Sequence, residues 1–109
     1  ELIEEEEEEP LNLSAFFAVY LTHWEEHIKT YYPRQRDQQL AEAVLELFRK
    51  RDRIELFNKK ALYVYIREMT NANTQQITKI VKQMKLRYKK MLSDYIELGY
   101  IPKDKFYEL

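Results

Sequence analysis

The chain has 109 residues, with 18 basic and 19 acidic side chains, a net charge of −1 at pH 7, and no cysteine. That length suits one ordinary domain with its own core, and the missing thiols exclude a disulfide framework or a thiolate metal site and fit a reducing, intracellular compartment. One glycine and three prolines point to an all-α domain, and no apolar run approaches the roughly 18 to 20 residues needed to cross a bilayer, so no membrane partner is expected.

Residues 1–10 hold seven glutamates and no base. A block of like charges cannot bury apolar area and repels itself, so a disordered acidic tail is expected there, followed by a single helical domain over 11–109. The chain starts at Glu1 without an initiator methionine, which suggests a processed form or a piece of a longer polypeptide.

Ser14 is placed to cap a first helix. Its apolar positions Phe16, Phe17, Tyr20, Leu21, Trp24, Ile28 and Tyr31 recur at three- and four-residue steps until Pro33. This wide stripe must pack on other helices or on another subunit. A second helix is expected from Arg36 or Asp37, with Leu40, Val44, Leu47 and Phe48 inward, fading through the charged residues 49–53. After an ambiguous link at 54–57, Asn58 reads as the cap of a third helix that buries Leu62, Tyr65, Ile66 and Met69.

Residues 70–73 break that helix. Asn tolerates the left-handed conformation, so Asn71 can end one helix while Asn73 or Thr74 caps the next. The last of about four helices has the strongest periodicity, with Ile77, Val81, Met84, Tyr88, Met91, Tyr95 and Leu98 inward. It stops at Gly99, the only glycine, with Pro102 beyond. Unbroken over 74–98 it is about 37 Å long, more than a compact three-helix unit needs. Its distal half is expected to meet the first helix, a partner chain, or both. Fifteen aromatics, nine of them tyrosine, supply large anchors with polar tips for such a core.

The charge is unevenly distributed. Without residues 1–10 the body carries 18 bases against 12 acids, and residues 59–90 hold nine bases and one acid, Glu68. A concentrated positive face suggests a polyanion, of which nucleic acid is the commonest. Residues 59–90 are also punctuated as two helices joined by a tight turn, with apolar residues to fix their crossing and a polar outer face on the second. The run IREMTNANTQQITKIVKQMK from Ile66 resembles the second and third helices of helix-turn-helix DNA-binding domains. In that resemblance Asn71 is at the turn, Ala72 is the small apolar residue after it, and Ile77 with Ile80 or Val81 point inward. Arg67 stands near where many such motifs carry a small residue, and Asn replaces the commoner glycine in the turn. Many small phage and plasmid proteins, including small terminase subunits and transcriptional regulators, join such a unit to an oligomerising helix, and this chain is similar in outline.

The resemblance implies double-stranded DNA as partner, with residues 74–85 in the major groove and no enzymatic activity or cofactor. The outward residues are Gln75, Gln76, Thr78, Lys79, Lys82, Gln83 and Lys85. Glutamine can read adenine, threonine can touch a thymine methyl or a phosphate, and lysine can neutralise phosphate or read guanine. Lys59, Lys60 and Arg67 approach phosphate from the preceding helix. A homo-oligomer or larger assembly through the first and last helices is expected. The alternative is a helical protein-interaction or assembly module in which the lysines are only solvated. The acidic tail either keeps the chain soluble or competes with DNA for the basic face.

One other motif carries chemistry. His23-Trp24-Glu25-Glu26-His27 matches the H-x-x-E-H pattern of inverted zinc peptidases, and Glu97 or Glu108 could be a third ligand. Such proteases are much larger, with a cleft built from several elements, and three fixed letters recur by chance. The expected role of His23 and His27 is to border the Trp24, Ile28, Tyr31 stripe, with no metal site. There is no glycine-rich phosphate loop, and Ser14 and Ser93 lack a nucleophile's context.

Overall fold

The computed structural model describes residues 13–50 and 59–109, apart from the side chains at 59 and 61. The acidic tail, the link at 54–57 and the Asn58 cap lie outside the described residues. Among the described residues four helices follow in chain order: α1 (Leu13–Tyr31), α2 (Gln35–Arg49), α3 (Lys59–Thr70) and α4 (Thr74–Leu98). The fold is all-α with a long last helix, as the periodicity implies.

The α1 stripe buries Phe16, Phe17, Tyr20, His23, Trp24, Ile28 and Tyr31. Ser14 lies within this helix and not at its cap. At the other end, Tyr32 N–H still reaches the Ile28 carbonyl at 2.8 Å, and Pro33 stops the helix because it has no N–H to offer. α2 begins one residue earlier than expected, after Arg34 in extended backbone with no side-chain cap. It buries Ala41, Ala43 and Leu45 besides the four predicted residues, because it packs against all three other helices.

Leu62 and Ile66 of α3 are buried and Tyr65 is half-buried, but Met69 is 49% exposed. The last turn of α3 stands away from α2 and leaves an open groove of about 700 Å³ lined by Gln39, Glu42, Glu46, Tyr65 and Met69. On α4, Ile77, Ile80, Val81, Met84 and Met91 are buried, and Tyr88 and Tyr95 are half-buried. Leu98, expected inward, is exposed, because the final turn runs beyond the helices that cover the rest.

The ring of Phe16 lies 5.3 Å from Tyr88 and 5.4 Å from Tyr95, and Tyr20 lies 5.2 Å from Tyr88. The Tyr32 hydroxyl donates to Gln83 Oε1 at 2.9 Å. The start of α1 therefore meets α4 at Tyr88 and Tyr95 and its end meets it at Gln83, so α1 crosses the middle of the long helix. Between them sits Arg87, counted among the basic residues of 59–90 yet buried. Its guanidinium lies 4.3 Å from the Tyr31 ring centre and 5.9 Å from that of Trp24. Nε donates to the Tyr107 carbonyl at 2.8 Å. Desolvated cation–π contacts of this kind are worth about 2 kcal/mol.

Residues 100–109 form neither helix nor strand and are laid back along α4. Ile101 and Tyr107 are buried. The Tyr107 hydroxyl donates to Asp94 Oδ2 at 2.7 Å and its N–H donates to the Tyr31 hydroxyl at 3.0 Å. Lys105 Nζ meets the same Asp94 oxygen at 2.8 Å.

The turn between α3 and α4 carries two testable features. Asn71 has φ 59°, and Asn73 forms a capping box with Gln76. Asn73→Ala is expected to cost about 1 kcal/mol. Asn71→Val should cost about 1–2 kcal/mol, the penalty of the left-handed region for a side chain with a branched Cβ, while Asn71→Gly should be nearly neutral. Urea unfolding of the three variants checks the order.

Candidate nucleic-acid interface

The α3–α4 turn orients the basic segment. α3 ends as Asn71 N–H bonds the Arg67 carbonyl at 2.7 Å and the chain swings into the left-handed region. Ala72 is buried in the elbow, where a larger side chain would wedge the helices apart. Asn73 Oδ1 accepts from Gln76 N–H at 2.9 Å, and Gln76 Oε1 accepts from Asn73 N–H at 3.3 Å. Two otherwise orphaned donors at the helix start are satisfied together.

The sequence-derived site residues divide according to what holds them. Gln76 is committed to the capping box. Arg67 donates to the Thr74 hydroxyl at 2.9 Å, tying α3 to the first turn of α4. The Thr78 hydroxyl accepts from Tyr63 at 2.9 Å, and Gln83 accepts from Tyr32. Gln76 thus caps its own helix, and the other three act first as fasteners between elements. Gln75, Lys79 and Lys82 are exposed and form no hydrogen bond or ion pair with the described residues. Their four- and three-residue spacing puts them on one face over two turns, about 10 Å of helix. Lys60 is exposed on α3, and Lys85 is exposed on the flank of α4. The side chain of Lys59 lies outside the described residues.

Two features of this face were not read from the sequence. Leu86, one turn beyond Lys82, is 40% exposed, so an apolar side chain borders the polar trio. Tyr63 contributes a fastening hydroxyl, and the only sequence signal for it was that α3 is rich in tyrosine.

His23 and His27 are brought together, but within a packing arrangement. Their rings stack at 4.4 Å. His27 Nδ1 donates to the His23 carbonyl at 2.8 Å, and His23 Nε2 lies 2.8 Å from the Tyr31 hydroxyl. Burial lowers the His23 pKa to about 4, with the nearby His27 and Arg87 charges adding to the effect. Among the described residues, no three His, Cys, Asp or Glu side chains are grouped to hold a metal ion. Comparison of the chain with protein-family models, curated proteins and solved structures finds no match.

The depressed His23 value has a consequence for stability. The folded state binds this proton less well than the unfolded chain, whose histidine titrates near 6.5. Stability from this group is intact above that pH and declines as pH falls from about 6.5 to about 4, with a slope of at most about 1.4 kcal/mol per pH unit. His23→Gln should flatten the profile in that window, as measured by urea unfolding at pH 7, 6, 5 and 4.5.

Proposed function

We propose that this chain is a non-enzymatic module that binds double-stranded DNA, laying the first half of α4 in the major groove. The observation that carries the reading is the unengaged trio Gln75, Lys79 and Lys82 on one exposed face immediately after a rigid turn. An α-helix is about 10–12 Å across, and the major groove is about 12 Å wide. Gln75 is suited to a bidentate contact with adenine, and Lys79 and Lys82 to phosphate or to guanine. Lys60 adds a phosphate contact from α3. Arg67, Gln76, Thr78 and Gln83 hold the helix in position, and a base contact by any of them requires giving up a fastening bond. Enclosing α4 between α1 and α2 also favours this role, since a helix that reads a groove must not yield when it enters.

The alternative protein-interaction role draws on the distal half of α4, where Ile96 is 62% exposed. The two surfaces occupy different stretches of one helix and are compatible.

Fluorescence anisotropy with a labelled duplex tests the assignment. The double variant Lys79→Glu, Lys82→Glu should lose measurable binding, because two attractive phosphate contacts become repulsive. Lys103→Glu, in the segment that follows α4 and lies beside Thr22 and Glu26 of α1, should bind like the parent chain. Equal binding by parent and double variant would reject this face.

A further inference from the structure

The distal half of α4 presents a second surface, independent of the DNA reading. α1 covers one side of the helix through Phe16, Tyr88 and Tyr95. The returning C-terminal segment covers the other, through Lys90 to the Glu108 carbonyl at 2.7 Å and Tyr107 to Asp94. Between these flanks Lys89, Leu92, Ser93, Ile96 and Glu97 line a shallow groove of about 440 Å³. Lys89, Leu92 and Ile96 follow the three- and four-residue steps of a helix–helix seam.

The charges beside that seam indicate its occupant. Lys89 and Glu97 are both exposed and form no hydrogen bond or ion pair with the described residues. Eight residues apart, they are separated by about 12 Å along the axis, too far to pair within one helix. A second copy of the same helix, antiparallel and related by a two-fold axis near Ser93, would bring each Lys89 opposite Glu97 of the other copy. The same operation brings Leu92 to within about 3 Å, along the axis, of the level of Ile96 of the other copy, and does so in both directions, which is the self-complementarity an isologous interface requires. The small Ser93 side chain at the centre lets the helices approach closely.

We infer that the distal face of α4 is a homodimerisation surface, pairing Leu92 with Ile96 and Lys89 with Glu97 of a second copy in antiparallel register. If the DNA reading also holds, a geometric consequence follows. At about 100° per residue, the Leu92–Ile96 seam lies about a quarter turn around the helix from Lys79 and Lys82. A two-fold axis perpendicular to the contact then turns both basic faces to the same side. The segments centred between Gln75 and Lys82 would be at most about 45 Å apart at 1.5 Å per residue. Crossing of the two helices shortens that distance toward the roughly 34–36 Å between successive major-groove half-sites.

The test is made without DNA, so its failure and a failure of DNA binding are separate results. The full chain, of 13.4 kDa, should sediment as a dimer at tens of micromolar, and Ile96→Asp should sediment as a monomer with unchanged helical circular dichroism. Lys89→Glu and Glu97→Lys should each weaken association about tenfold, a loss of about 1.4 kcal/mol, and the double charge swap should restore it. These two positions are exposed, so the swap remains informative even if Ile96→Asp misfolds. The chain has no native cysteine, so Ser93→Cys should cross-link to itself on oxidation, whereas Lys60→Cys should not. A monomeric parent chain, a charge swap without rescue, or equal cross-linking at both cysteine positions would overturn the inference.

Discussion

The positive backbone angle at Asn71 is the constraint on which the functional reading depends. It turns the chain between α3 and α4 within three residues, and everything outward-facing on the first half of α4 inherits its direction from that turn. Left-handed backbone is costly for most side chains, and asparagine is among the few that tolerate it. The neighbouring bonds make the turn rigid: the reciprocal Asn73–Gln76 cap and the Arg67–Thr74 strut at 2.9 Å. Side chains used as fasteners cannot at the same time serve as ligand contacts, so rigidity narrows the open face to Gln75, Lys79 and Lys82.

α4 is a single helix with three successive environments. Its first half is supported from beneath by Ile77, Ile80 and Val81 and leaves its outer face open. Its middle is enclosed where α1 crosses, and there Arg87 is held by the faces of aromatic rings and the Tyr107 carbonyl. Among the described residues no carboxylate pairs with that guanidinium. Tyr32, which accepts from it at 3.3 Å, has its own pKa pushed up to about 12, chiefly by burial and against the pull of the cation. The distal half has its flanks covered and one narrow apolar strip left open. Arg87 joins these regions by fastening the C-terminal segment over α1, which leaves Ile96 exposed with half-buried Leu92 beside it.

Much of this organisation was legible in the sequence because it depends on local rules. The bounds of α4, the Asn71 turn, the Asn73 cap and the Gly99 stop all follow from residue types that have few conformational alternatives. The helical core of α1 and α2 follows from three- and four-residue spacing. What escaped depends on tertiary neighbours. Met69 and Leu98 keep the inward period of their helices, but those helices end where nothing covers them. Arg87 reads as one more surface base, and only the rings arriving from α1 show it to be buried. The site residues show the same division. Composition identifies which side chains can bind phosphate, but only the partners at Tyr32, Tyr63 and Thr74 separate the fasteners from the open trio. The H-x-x-E-H motif likewise acquires its role from Tyr31, whose hydroxyl occupies the His23 ring nitrogen that a metal would need.

The central claim is that this open trio, with Lys60, binds the phosphate backbone while reading a groove. Its most direct test is the affinity of the full chain for a DNA duplex across a salt series. Each phosphate neutralised contributes about −0.9 to the slope of log affinity against log salt, so contacts by Lys60, Lys79 and Lys82 give about −3 or steeper. A slope in that range would support the account. A slope near zero, or no binding at low salt, would contradict it.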